Sequence, residues 1–169
     1  MIFINNAIFL AQHIMPITCT FALNNRPMSM LVCPGIGGMP AFSGLGNAVD
    51  DPTAIAKADI GPLPQGTYYI VDRQSGGRLG WFWDRMPGHD PTEWFALYRD
   101  DGVIDDETII NGVKRGNFRL HPKGALGISK GCITLARKGD FERLRTLLYG
   151  QQTFSVGTGI KAYGRVEVR

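Results

Sequence analysis

The sequence predicts a mainly β chain with one principal α-helix, on three observations. Short runs of β-formers recur along it: TFAL, SMLVC, GTYYIVD, WFALYR, NFRLHP, CITLA and GRVEVR. Clusters of Gly, Pro and Asn separate them, and 22 glycines with 10 prolines in 169 residues describe a loop-rich globular chain, neither disordered nor fibrous. Only KGDFERLRTLLYG, residues 138–150, carries clear helical periodicity. The length fits one domain with a proper core. We therefore expect an N-terminal extension over 1–17 and a single domain over 18–169.

In chain order, MIFINNAIFLAQHIMPI is apolar but lacks a basic n-region, and Gln12 and His13 interrupt it. It reads as a leader or extension, not as a convincing export signal. No stretch approaches the roughly 20 apolar residues that span a bilayer. CTFALNNRPMSMLVC then reads as a hairpin turning at NNRP, with Cys19 and Cys33 near-opposite across the ladder. They form either a disulfide or two buried thiols. AFSGLGNAVDDPTAIAKADIGPLPQ, residues 41–65, is expected to wrap the surface as a connector before the GTYYIVD strand. RQSGGRLGWFWDRMPGHDPTEW is a long excursion of the sort that borders sites. In the helix, Asp140 is the expected N-cap, Phe141, Leu144, Leu147 and Leu148 share a face, and Gly150 marks the stop.

The net charge of +3 is scattered, so no nucleic-acid surface is indicated. The three cysteines and three histidines match no zinc spacing. Asp84, Asp100, Asp101, Asp105 and Asp106 read as solvated loop charges, and no pair of acids stands out as a glycosidase pair would. His89 reads as a surface-loop histidine.

FRLHPKGALGISKGCITL concentrates the chemistry. His121 ends one extended run and Cys132 opens the next, with the intervening residues read as one reversing connection. A thiol needs a neighbouring base or cation to become a thiolate, and a third group to orient that base. Gly131 frees the backbone beside the thiol, so that N–H groups of Gly131 and Cys132 can hold an oxyanion. Ser129 can hydrogen-bond within the turn, and Lys130 adds positive potential. Taken singly, Cys132 is as readily a small buried hydrophobe and His121 a strand cap; the pattern of both favours a site. Arg119 shares a strand face with His121 and can fork a carboxylate, or serve as a solvated strand arginine. Arg73, Arg78 and Arg85 are weaker candidates. Trp81, Trp83 and Trp94 line a cleft or the core.

His121 followed by Ser129-Lys130-Gly131-Cys132-Ile133 resembles the signature of the L,D-transpeptidase catalytic domain (YkuD-type). GPLPQGTYYIVDR (61–73) is similar to the strand preceding the site in that family, and the helix at 138–150 falls where the family places one. The resemblance covers about residues 60–169. It implies a compact β-sandwich or barrel with the helix after the cysteine strand. It also implies Cys132 as nucleophile and His121 as base, with Ser129 and Gly131 supporting them and no metal or organic cofactor. The His-to-Cys separation, 132 − 121 = 11, is short for the family. Lys130 stands where the family often has His, and Thr134 where it often has Arg or Asn. Arg119, Lys130 and Thr134 are assigned to substrate binding.

The short loop and the TFALNNRPMSML hairpin resemble a narrower branch, antibacterial L,D-transpeptidase effectors of the type VI secretion system. That branch implies secretion machinery and an immunity protein as partners, and action in a target bacterium's periplasm. The implied reaction is on peptidoglycan stem tetrapeptides, as L,D-carboxypeptidase with water or as exchange of the terminal D-Ala with a D-amino acid. Papain-like and NlpC/P60-like peptidases compete as a reading, but they place the cysteine before the histidine. A non-catalytic wall-binding module is the third alternative.

Overall fold

The computed structural model describes residues 15–73 and 94–169. Among these, eleven strands and one α-helix follow in order: β1 (Thr18–Phe21), β2 (Ser29–Cys33), β3 (Gly37–Phe42), β4 (Gly66–Asp72), β5 (Phe95–Arg99), β6 (Glu107–Ile110), β7 (Val113–Gly116), β8 (Arg119–Pro122), β9 (Ile133–Leu135), α1 (Lys138–Tyr149), β10 (Phe154–Val156) and β11 (Ile160–Val168). The mainly β expectation with a single helix holds. Arg78, Trp81, Trp83, Asp84, Arg85 and His89 lie outside the described residues.

Nine strands form one sheet in the order β1-β2-β3-β9-β8-β5-β4-β11-β10, and a further β1–β11 pairing closes eight of them into a barrel. The long β11 makes closure possible by dividing one edge between two partners. Ile160–Ala162 pair with β10 and Arg165–Val168 with β1. Gly164 lies where a Cβ would meet Ile17 Cγ2 at 2.5 Å, so the bare backbone permits this approach. The β6–β7 hairpin stands apart.

Alternation along the strands sorts side chains between two layers. Leu31, Tyr68, Ile70, Phe95, Leu97, Leu120, Ile133 and Leu135 fill the main core with Phe141, Leu144 and Leu148 from α1. Tyr69, Val71, Ala96, Tyr98, Val156 and Ala162 form a second cluster on the other face of β4 and β5. Cys19 and Cys33, both buried, are joined as a disulfide tying β1 to β2.

One local expectation is corrected and one holds in part. The connector after β3 runs over the surface at Gly46, Asn47, Thr53 and residues 57–60, but Ser43, Gly44, Ala48, Asp50, Ala54 and residues 61–64 are buried. Its small residues fit close beneath the loop before β9, and buried polar groups anchor it there. The helix N-cap is Arg137 with no side-chain cap bond, while Asp140 sits in the first turn. There Asp140 accepts from Arg137 Nε at 2.7 Å and complements the positive helix end. Asp100, Asp101 and Asp105 are exposed loop charges, as expected, and they also brace the loops: Asp100 accepts from the Tyr69 hydroxyl at 2.8 Å, Asp101 from the Thr108 hydroxyl at 2.5 Å, and Asp105 from the Glu107 N–H at 2.9 Å.

Candidate active site

The β8–β9 pair positions the site, and it is parallel. The 123–132 segment is therefore a crossover, not the expected reversal, because a hairpin joins only antiparallel strands. The register sets Leu120 opposite Ile133 and His121 opposite Thr134. Leu120, Ile133 and Leu135 point into the core, so alternation leaves Arg119, His121 and Thr134 on the other face, and Cys132 immediately precedes β9. Extended geometry carried one residue back from β9 would set thiol and imidazole diagonal to each other, their Cα atoms about 8 Å apart.

His121 is buried and held on three sides. Trp94 stacks on its ring, centroids 4.3 Å apart and planes 21° from parallel. Nδ1 lies 2.9 Å from the carbonyl oxygen of Pro122, and Nε2 lies 3.3 Å from Thr134 Oγ1. A carbonyl can only accept, so Nδ1 carries the proton and Nε2 keeps its lone pair. The orienting third group is therefore a main-chain carbonyl. Thr134 is fully buried against the imidazole and has no surface to offer a substrate, contrary to the expectation that it binds one.

Cys132 is partly exposed, and its Sγ lies 3.9 Å from the Asn117 carbonyl oxygen. Burial pushes its thiol above the ordinary value; the Arg119 N–H and guanidinium charge pull it back, Asp106 raises it, and the Lys130 N–H lowers it. Burial dominates, so the resting group is a thiol. The expectation that local positive charge makes Cys132 a standing thiolate is revised on that ground.

The supporting residues build the loop. Ser129 is buried; its hydroxyl donates to the Cys132 carbonyl at 2.8 Å and accepts from the Gly44 N–H at 3.3 Å. Gly131 adopts φ +97°, and a Cβ there would sit 2.8 Å from Arg115 Nη2 and 3.0 Å from Phe118 Cε1. Lys130 is exposed beside the thiol. Arg119 forks Asp106 through two contacts of 2.6 Å, so its guanidinium is already engaged and Asp106 is no solvated charge.

Sequence reasoning missed four groups. Asp106 holds Arg119, and the Pro122 carbonyl fixes the tautomer. Buried Arg115 braces the connector through the carbonyls of Ile55, Gly61 (3.0 Å) and Pro62 (3.2 Å). Buried Asp50 accepts from the Ser43 N–H at 2.9 Å, one residue from the Gly44 that holds Ser129. Among the described residues no three His, Cys, Asp or Glu side chains gather to hold a metal, and no helix is long and apolar enough to cross a membrane.

The molecule is thus a closed β-barrel with a candidate cysteine–histidine site at its parallel β8–β9 pair. The Tlde1 domain model matches residues 37–159, from β3 to the turn before β11. The chain belongs to that family, a family of type VI secretion effectors. A search of curated proteins and a search of solved structures returned no match.

Proposed function

We propose that this effector is a cysteine acyltransferase acting on peptidoglycan stem tetrapeptides in the periplasm of a target bacterium. What supports this reading is the parallel β8–β9 pairing, which brings His121 in β8 and Cys132, the residue just before β9, onto neighbouring chain segments, with the Nδ1 contact to the Pro122 carbonyl leaving Nε2 as the acceptor nitrogen beside the Thr134 hydroxyl. Nε2 takes the thiol proton as Sγ attacks the carbonyl of the L-centre of the third residue. Because burial keeps the thiol protonated at rest, proton transfer accompanies attack instead of preceding it. The Lys130 N–H, which already leans on the sulfur, joins those of Gly131 and Cys132 around the oxyanion. The carbon–nitrogen bond breaks, D-alanine leaves with the proton from His121, and a thioester remains. Water or a D-amino acid amine then attacks the thioester and returns the sulfur. Water yields a tripeptide; the amine yields an exchanged stem. Delivery by the secretion machinery and neutralisation by an immunity protein complete the reading.

The test is incubation with disaccharide-tetrapeptide followed by mass analysis. Wild type loses one alanine, or exchanges it when a D-amino acid is added. Cys132→Ala and His121→Ala do neither. Alanine release persisting in the cysteine variant refutes the mechanism.

A further inference from the structure

Asp106 lies just before β6, beside the hairpin that stands outside the barrel sheet, yet it holds both ends of the segment that borders the nucleophile. Its main-chain carbonyl accepts from the Asn117 N–H at 3.1 Å. Its carboxylate takes both Arg119 Nη1 and Nη2 at 2.6 Å, while Nη1 also donates to the Phe118 carbonyl at 2.8 Å. A Cβ at residue 116 would lie 2.3 Å from the Asp106 carbonyl oxygen, so Gly116 is what lets the two chains come this close. Each residue of the segment so held meets the site. The Asn117 carbonyl oxygen lies 3.9 Å from Sγ, with Asn117 itself in the left-handed region at φ +56°. The Phe118 ring packs where a Cβ on Gly131 would fall, 3.0 Å from Cε1. Arg119 turns its N–H toward the sulfur, and its guanidinium charge reaches it.

The two charges of the fork act on the thiol in opposite directions: Arg119 favours the thiolate and Asp106 opposes it. Because the fork brings them together, the sulfur feels their difference. Among the described residues, His121 from β8, Arg115 from β7 and Lys130 from the crossover are the other charged or titratable groups at this corner. Arg115 gives its donors to the carbonyls of Ile55, Gly61 and Pro62, and Lys130 acts on the sulfur through its N–H.

We propose that Asp106 is a positioning residue for Cys132: it presses residues 117–119 against the sulfur and offsets the Arg119 charge there, so that the nucleophile rests as a thiol and yields its proton to His121 only on attack. The proposal deepens the acyl-transfer reading and rests on it for that last step. Without the carboxylate, Arg119 stands as an uncompensated cation beside the sulfur, and the thiolate forms ahead of substrate. Without Arg119, the Asp106 anion stands there instead, and the thiolate forms only at higher pH.

The chain has three cysteines, and two are joined as a disulfide, so under non-reducing conditions iodoacetamide reads Cys132 alone. Its alkylation rate is followed against pH in wild type, Asp106→Asn, Arg119→Gln and the double variant. Asn is isosteric with Asp and keeps one acceptor for Arg119. A close charge moves a pKa by about 1–3 units, and the low end applies to a pair this near the surface. Asp106→Asn should therefore lower the midpoint by about one pH unit, Arg119→Gln should raise it by about one, and the double variant should fall within about half a unit of wild type. The opposite signs decide the matter. A fork that only braces the loop is broken by either substitution, and both then move the midpoint the same way or leave it in place; either result overturns the proposal. Arg119→Lys keeps the charge without the fork, and its midpoint should stay within about half a unit of wild type; a rise equal to that of Arg119→Gln overturns the proposal as well.

The two readings fail separately. Opposite midpoint shifts with no turnover of tetrapeptide by wild type defeat the acyl-transfer mechanism and leave the positioning role. Turnover of tetrapeptide with midpoints that do not move defeats the positioning role and leaves the mechanism.

Discussion

Asp50→Asn should stabilise this protein above neutral pH and flatten the pH dependence of its stability. Asp50 is fully buried; Oδ1 accepts from the Ser43 N–H, while Oδ2 has no hydrogen-bond partner among the described residues. Burial, partly opposed by the Ser43 hydrogen bond, raises its pKa from 3.8 to about 7. A shift of about three units corresponds to about 4 kcal/mol between the two protonation states. The sign follows from proton binding. The folded state holds a proton that the unfolded chain releases near 3.8. The contribution of Asp50 is therefore fully present below 3.8, falls as pH rises, and is gone by about 7. Asn keeps an acceptor for Ser43 and carries no charge, but leaves an unpaired amide N–H₂ where Oδ2 lies, at a cost of about 1–3 kcal/mol. The net gain at pH 8 is about 1–3 kcal/mol, or several degrees of Tm at about 2–4 °C per kcal/mol. Thermal unfolding of both proteins from pH 4 to 8.5 is the assay. Parallel Tm-versus-pH curves refute the argument.

Replacing Cys19 and Cys33 together by Ala removes a link spanning 14 residues; unfolding in urea should show a loss of about 3 kcal/mol, and wild type in reductant should approach the variant. Gly131→Ala combines a left-handed φ with the contacts to Arg115 and Phe118; it should cost about 1–3 kcal/mol and abolish turnover while α1 persists by circular dichroism. Alkylation of Cys132 by iodoacetamide should be slow at pH 7 and rise with a midpoint above that of free cysteine, because burial raises its pKa; a midpoint below it would mean that the thiolate preforms.

The strands legible in the sequence are those whose alternation matches a half-buried pleat. SMLVC and GTYYIVD coincide with β2 and β4, and WFALYR holds β5. β3 was illegible because GGMPAF carries two glycines and a proline, which ordinarily punctuate strands. The β6–β7 hairpin had a readable signal that went unused: Asn111-Gly112, with φ of 51° and 78°, is the two-residue turn that hairpins favour. The burial of the connector was not readable, because Asp50 and Arg115 look like any surface charge until the chain around them is folded.

At the site, residue types were legible and their relation was not. His121 and Cys132 announce a thiol and a base, but a parallel crossover and a hairpin share the same local sequence. The distinction matters chemically. A hairpin would set the two side chains directly opposite, whereas the parallel register sets Thr134 opposite His121 and leaves Cys132 just before the paired residues. That register is why Thr134, which sequence alone assigned to substrate binding, lies buried against the imidazole. It also sets the sulfur 3.9 Å from the Asn117 carbonyl.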